Sequence, residues 1–232
     1  MSINAQTYRS RDISARLDDA KLPVLDVMFT GVTGAGKSST INALFGSNKV
    51  LVGHGVDPMT MELDAYYLQN AFRVWDTPGL GDGAEQDRTH ERKLIDLLFK
   101  TWSADGETYG FIDMVIVIIE GINRDMGTTY RLLRNTILPC INANRVVVAI
   151  NQADVAQKGR GWDHKTNTPT VQLTEFLEQQ ALSIQRRIKE SCGITINKPI
   201  YFSAEHRYNL DKLMDAIIVA MPSNRRQITA SE

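Results

Sequence analysis

The sequence predicts an α/β domain built on a mostly parallel sheet of about six strands, one of them antiparallel, with helices on both faces. Strand-like apolar runs alternate along the chain with helix-length amphipathic stripes, as parallel α/β sheets require. A glycine-rich run, GVTGAGKS at residues 31–38, sits between the first apolar run and the first helix start. Three more polar motifs each follow an apolar run: DTPG at 76–79, NQAD at 151–154 and SAE at 203–205.

Taken in order, residues 5–20 form a charged helix with one weak apolar stripe, Ile13 and Leu17, able to pack on the domain or on a second copy. Residues 23–29 read as the first strand and 38–45 as the first helix. Residues 46–61, with Asp57 before Pro58, read as a mobile loop. Strands follow at 62–68 and 71–76, and Gln69 and Asn70 between them make a tight hairpin connection that supplies the antiparallel strand. A helix at 89–102 places Leu94, Leu97 and Leu98 on one face. Next come a central strand at 111–119, a helix at 126–138 ended by Pro139, and a strand at 145–150. Residues 170–191 carry the longest stripe, Leu173, Leu177, Ala181, Ile184 and Ile188, with Pro169 near the first turn. After a strand-like run at 199–202, the last helix begins near Asn209 and aligns Leu210, Leu213, Met214, Ile217, Ile218 and Met221. The expected organisation is a helical extension at 1–21, one domain at 22–222 and a flexible tail at 223–232.

GVTGAGKS matches G-x-x-x-x-G-K-[ST], in which glycines let successive N–H groups face phosphate oxygens and the following helix N-terminus adds partial positive charge. The cradle residues are Thr33, Gly34, Ala35, Gly36, Lys37, Ser38 and Ser39, with Lys37 reaching the β- and γ-phosphates and the Ser38 hydroxyl on Mg²⁺. Asp76, at a strand's end, can hold Mg²⁺ through water, and the Gly79 N–H can meet the γ-phosphate. In NQAD, beside Asn151 and Gln152, Asp154 can accept from guanine N1–H and the 2-amino group, neither of which adenine offers. The backbone of Ser203, Ala204 and Glu205 can donate to guanine O6. Thr60, the one threonine between Thr40 and Thr77, is the candidate that closes over Mg²⁺ and the γ-phosphate. The expected metal set is therefore Ser38, Thr60 and Asp76, and the expected catalytic set Lys37, Thr60 and Gly79.

With these residues in view, the chain resembles the Era-like GTPases of the translation-factor-related class, and most closely the YfjP-type branch of bacterial genomes and prophages, over roughly residues 22–222. Gly34 within the first motif, NQAD followed by Gly161, Trp162 and Asp163, and the final SAE carry that resemblance. It implies a Ras-like fold, Mg²⁺, hydrolysis of GTP to GDP and phosphate, and a switch. GTP would draw Thr60 and Gly79 to its γ-phosphate and order residues 46–61 and 77–88. Three departures carry consequences. Gln152 replaces the lysine whose stem covers the base, which lowers affinity while leaving guanine selection to Asp154. Gly34 stands where potassium-stimulated relatives carry asparagine, so little preference for K⁺ is expected. Leu80 stands where Ras-like proteins place a water-orienting glutamine, which predicts slow intrinsic turnover. The Thr60 carbonyl, Asp82, Glu85, Arg88 or a group from a partner or second copy are the candidates for positioning water.

Composition agrees with a cytoplasmic enzyme. Twenty-six basic against twenty-seven acidic residues leave a formal charge of −1, so no global field invites nucleic acid or an anionic membrane. Cys140 and Cys192 lack a metal-ligand pattern and read as reduced structural thiols. The N-terminus lacks a signal-peptide core, and no apolar run reaches membrane-spanning length. The expected partners are a guanine nucleotide, a protein effector and a nucleotide-dependent second copy. In the loop at 155–169, Trp162 either shields the base or ribose or anchors the loop, and Lys158, Arg160 and Lys165 serve a partner or only solvation. Two other functions stay open: a GTP-binding module that hydrolyses only within an assembly, and an adenine-specific ATPase, against which Asp154 argues.

Overall fold

In a computed structural model that describes residues 7–46, 50–51, 64–68, 71–81, 83–104, 106–121 and 126–228, strands and helices alternate. Helix α1 (Ser10–Ala20) precedes strand β1 (Leu25–Gly31) and helix α2 (Lys37–Phe45). Strands β2 (Val50–Leu51), β3 (Asp64–Leu68) and β4 (Phe72–Asp76) lead into α3 (Ala84–Phe99). A separate antiparallel pair, β5 (Thr101–Ala104) and β6 (Glu107–Gly110), precedes β7 (Met114–Glu120). Helix α4 (Gly127–Arg131) continues as a π-helical turn over Leu132–Ile137, followed by β8 (Val146–Asn151). The small hairpin β9 (Trp162–Asp163) and β10 (Thr168–Pro169), helix α5 (Val171–Cys192), strand β11 (Ile200–Tyr201) and helix α6 (Leu210–Ala220) complete the order.

The main sheet runs β11-β8-β7-β1-β4-β3-β2. Within it β3 runs against the other strands, being antiparallel to both β4 and β2. The expected six-stranded sheet with one antiparallel strand is therefore present, with the two-residue β2 added at its edge. Central strands are buried on both faces, which is why they read as continuous apolar runs rather than alternating ones. In β7, Met114, Ile116 and Ile118 join one core cluster with Ile41 and Leu44 of α2 and Ile217 and Ile218 of α6. Val115, Val117 and Ile119 join a second cluster with Leu94 and Leu97 of α3 and Leu173 and Leu177 of α5. The period of two divides one strand between two helical layers.

Ile13 and Leu17 of α1 are buried in the first cluster, so the N-terminal stripe packs on the domain. Arg9 and Tyr8 both bond Asp215 of α6, at 2.8 and 3.0 Å. At the other end, the tail expected from 223 is held at Arg226, which donates to the carbonyls of Ile112, Cys140 and Leu98. Three main-chain acceptors fix a residue that composition alone marks as solvent-facing. Helix α3 starts five residues before the expected 89, because its first turn carries Glu85 and Asp87, favoured by the helix dipole, while its apolar stripe begins only at Leu94. Residues 101 and 102, expected to end that helix, instead open β5, where Trp102 packs against Tyr109 across the pair at 5.5 Å. The hairpin connection expected at Gln69 and Asn70 lies outside the described residues, although β3 and β4 pair as it requires.

One buried carboxyl imposes a pH dependence on this core. Asp113, 3 % exposed, accepts from the backbone N–H of Asp26 at 3.0 Å. Burial pushes its pKa up from 3.8 to about 7, against the pull of that bond and of Arg145 and Arg226. The folded state thus binds this proton more tightly than the unfolded chain. The resulting stability is present at low pH and is lost as pH rises from the unfolded value through about 7. Asp113→Asn, which keeps an oxygen for Asp26, should leave stability near its wild-type value at about pH 4.5 and raise it at about pH 8 by a few kcal/mol. Chemical denaturation at both pH values reads the difference; parallel changes in the two proteins would contradict it.

Candidate functional site

Parallel strands deliver their following loops to one edge of the sheet, where ligands of open α/β folds bind. Phe29 of β1 pairs with Asp76 of β4, Gly31 with Ile118 of β7, and Glu120 of β7 with Asn151 of β8. Ile150 of β8 lies beside Tyr201 of β11. All four motifs therefore open on the same edge.

The cradle leaves β1 at Gly31 and enters α2 at Lys37. Gly36 caps that helix at φ 80°, and a Cβ there would collide with the Asn151 side-chain amide. Lys37 is 7 % exposed and folds back over the loop, its Nζ donating to Val32 O at 3.1 Å and Gly31 O at 3.3 Å. Thr33, Gly34, Ser38 and Ser39 are exposed around it, whereas Ala35 is buried. The Ser38 Oγ donates to Asp76 Oδ2 at 2.6 Å, which brings two of the three expected metal ligands into contact. A hydroxyl and a carboxylate together are the hard oxygen donors Mg²⁺ prefers. Thr60, the third, lies outside the described residues, as does Asp82.

The third and fourth motifs are joined to the cradle by side chains. Asn151, 2 % exposed, donates to Ala35 O at 3.0 Å and accepts from the Ala204 N–H at 3.0 Å. One amide thus connects the cradle, the NQAD turn and the SAE turn. Gln152, in the left-handed region at φ 63°, donates from its side chain to Gly34 O at 2.9 Å. Where a lysine stem would only lie along a base, this shorter amide ties two loops. Asp154 is 9 % exposed; its Oδ1 is buried with no hydrogen-bond partner among the described residues, and its Oδ2 lies 3.8 Å from His206 Nε2. Ser203 and Ala204 are buried and Glu205 is exposed; Ser203 exchanges backbone bonds with Tyr208 that close the turn. Trp162 is 6 % exposed and packs against the rings of His206 and Tyr208 at 5.1 and 5.4 Å, so it anchors its loop to the SAE turn.

The segment after β4 lies across the cradle. Gly79 sits so close to Thr33 that a Cβ at 79 would meet its backbone, and no residue larger than glycine fits that approach. Leu80 pairs its backbone with the loop on both sides: the Thr33 N–H donates to Leu80 O at 2.7 Å, and the Leu80 N–H donates to Gly31 O at 3.3 Å. Its side chain is 1 % exposed in the second core cluster. The apolar side chain at this position is thus drawn into the core. His90 of α3 is bonded through Nδ1 to Gly79 O at 2.6 Å, a contact eleven residues distant that no local pattern signals.

A buried acceptor at the end of β8, a cradle of amides and a hydroxyl–carboxylate pair at a helix start suit a nucleotide with a metal. Comparison with known proteins gives the same answer. "GTPase Der" of Orientia tsutsugamushi (strain Ikeda) is 24% identical over 210 residues, covering 89% of this chain and 40% of that protein. "GTPase Der" of Rickettsia canadensis (strain McKiel) is 22% identical over 238 residues, covering 99% and 46%. The chain thus spans less than half the length of these relatives. Among solved structures, Toc33 of Arabidopsis thaliana in complex with GDP and Mg²⁺ superimposes with a TM-score of 0.61 at 14% identity, covering 97% of this chain and 96% of that one. The G domain of the T. maritima FeoB iron transporter gives 0.50 at 19% identity, covering 86% and 99%; both likenesses concern the fold. The family model described as "50S ribosome-binding GTPase" matches residues 26–198, three-quarters of the sequence, and the chain belongs to that family of GTPases.

Proposed function

We propose that this chain is a Mg²⁺-dependent switch that binds GTP and hydrolyses it slowly to GDP and phosphate. The observation that carries the reading is Asp154 Oδ1, a buried carboxylate oxygen with no donor among the described residues. An unpartnered buried acceptor is costly, and guanine's N1–H and 2-amino group would satisfy it, whereas adenine carries an acceptor at N1 and no amino group at C2. In the SAE turn the Ser203 and Ala204 N–H groups are already committed, to Tyr208 O and to the Asn151 side chain, which leaves the Glu205 N–H as the donor for guanine O6. Within the family, Gly34 and the NQAD and Trp162 pattern favour the YfjP-type branch of Era-like proteins, with the GTPase domain at 22–222 and a cytoplasmic setting.

Lys37 would exchange its carbonyl partners for the β- and γ-phosphates, and Ser38, Thr60 and Asp76 would hold Mg²⁺. The metal, when bound, neutralises charge on the phosphate oxygens. The Ser38–Asp76 hydrogen bond must open to admit it. Gly79, pressed against Thr33, is the point where a γ-phosphate would pull on the segment from 77 onward. His90 restrains its carbonyl there. A protein effector and a nucleotide-dependent second copy are the proposed readers of that movement. Among the described residues no helix is long and apolar enough to cross a membrane.

Asp154→Asn turns an acceptor into a donor and should exchange the base preference. GDP affinity should drop by at least tenfold, since each lost buried bond costs about 1–3 kcal/mol. Xanthosine diphosphate, which presents a carbonyl where guanine carries its 2-amino group, should then bind better than GDP. Equilibrium titration with both nucleotides decides it, and GDP binding undiminished in the variant would rule the assignment out.

Leu80, buried and paired to the cradle through its backbone, cannot orient water. Intrinsic turnover should therefore sit at about 10⁻⁴ to 10⁻² s⁻¹. Leu80→Ala should act on stability rather than chemistry, costing about 2–5 kcal/mol and lowering Tm by roughly 5–15 °C. Thermal melts with phosphate-release assays below the transition separate these effects. An unchanged Tm with lost hydrolysis would show that the side chain faces the reaction after all.

A further inference from the structure

Asp154 has an ionisable neighbour that guanine binding does not require. His206 Nε2 lies 3.8 Å from Asp154 Oδ2, the side chains 24 % and 11 % exposed. Two contacts hold the imidazole in place. Its backbone N–H donates to Ser203 Oγ at 3.1 Å, and its ring lies against Trp162 at 5.1 Å and 35°. The Trp162 indole N–H has no hydrogen-bond partner among the described residues, so the indole offers His206 its ring and not its donor. An aromatic face attracts a cation, and a carboxylate on the other side attracts it as well. The other titratable groups facing this cluster are His164, whose ring is 5.8 Å from His206, with Asp163 beside it in β9, and Tyr208 on the edge of Trp162.

We propose that His206 is a specificity-determining residue of the base site, which in its protonated form takes Asp154 Oδ2 and so weakens the reading of guanine. The proposal rests on the guanine assignment of Asp154. With the imidazole neutral, both carboxylate oxygens face the two N–H donors of guanine. With the imidazolium present, Oδ2 is committed to it and one base donor loses its acceptor. Recognition then falls toward that of a base with a single donor, such as hypoxanthine. The hairpin of β9 and β10, which carries Trp162, thereby acts on the base pocket through the His206 ring that Trp162 supports.

The test is titration of the wild-type chain and of His206→Gln with GDP, IDP and ADP at about pH 8 and about pH 5.5, an interval in which an imidazole changes charge. Wild type should prefer GDP over IDP at the higher pH and lose about fivefold of that preference at the lower. His206→Gln should show the same preference at both pH values, whereas His164→Gln should behave as wild type. Titration of any other group, Asp154 included, would appear in all three proteins. A second reading needs no variant: by linkage, saturation with GDP should lower the midpoint at which the His206 ring resonance titrates. A wild-type pH profile in a folded His206→Gln, or a midpoint unmoved or raised by GDP, overturns the assignment. Failure of wild type to prefer GDP over ADP at about pH 8 overturns the guanine reading together with it.

Discussion

The Asn151 side chain spans three loops that begin on three different strands. It donates to the carbonyl of Ala35 and accepts from the amide of Ala204, and it is almost wholly buried. Neither backbone group has water as an alternative partner, so the amide is committed at both ends. The left-handed turn at Gly36 leaves room for it, since a Cβ there would occupy its place. Gln152 repeats the tie one residue later through Gly34 O. The phosphate end and the base end of the site are therefore one hydrogen-bonded unit, pre-organised before any ligand arrives.

The opposite edge of the cradle is held by a different kind of contact. Leu80 adds its backbone beside Val32 as a parallel bridge, and its side chain is anchored under α3. Only the stretch from Asp76 to Gly79 lies between that anchor and the end of β4. Its contacts include three polar ones: Ser38 to Asp76, Thr77 Oγ1 to Phe29 O, and His90 to Gly79 O. Hydrogen bonds of this sort exchange partners at low net cost, unlike buried apolar contacts. The clamp ties the loops together where the base would be read, and the exchangeable contacts lie where phosphate would be sensed.

Much of this was legible in the sequence because periodicity reports burial. The stripe Leu173, Leu177, Ala181, Ile184 and Ile188 is the buried face of α5, and Leu210 to Ile218 that of α6. The motifs were legible because each needs short residues at strand ends. What escaped were contacts whose partners lie far apart along the chain. His90 on Gly79 O, His206 on Asp154 and Arg226 on three carbonyls join residues from 11 to 128 positions apart, and no local spacing encodes them. The hairpin at 101–110 escaped for another reason: its strands are four residues each and only Gly110 among them is buried, so no apolar stripe marks them.

The most direct test of the clamp is its removal. GDP titrated into the wild-type chain and into Asn151→Ala should show at least a tenfold loss of affinity in the variant, because two buried backbone groups lose their partner at about 1–3 kcal/mol each. The loss should persist at a temperature where circular dichroism shows the variant folded. Wild-type affinity in the folded variant would mean that the cradle and the base turn hold their places independently, and the account of a single pre-organised site would be wrong.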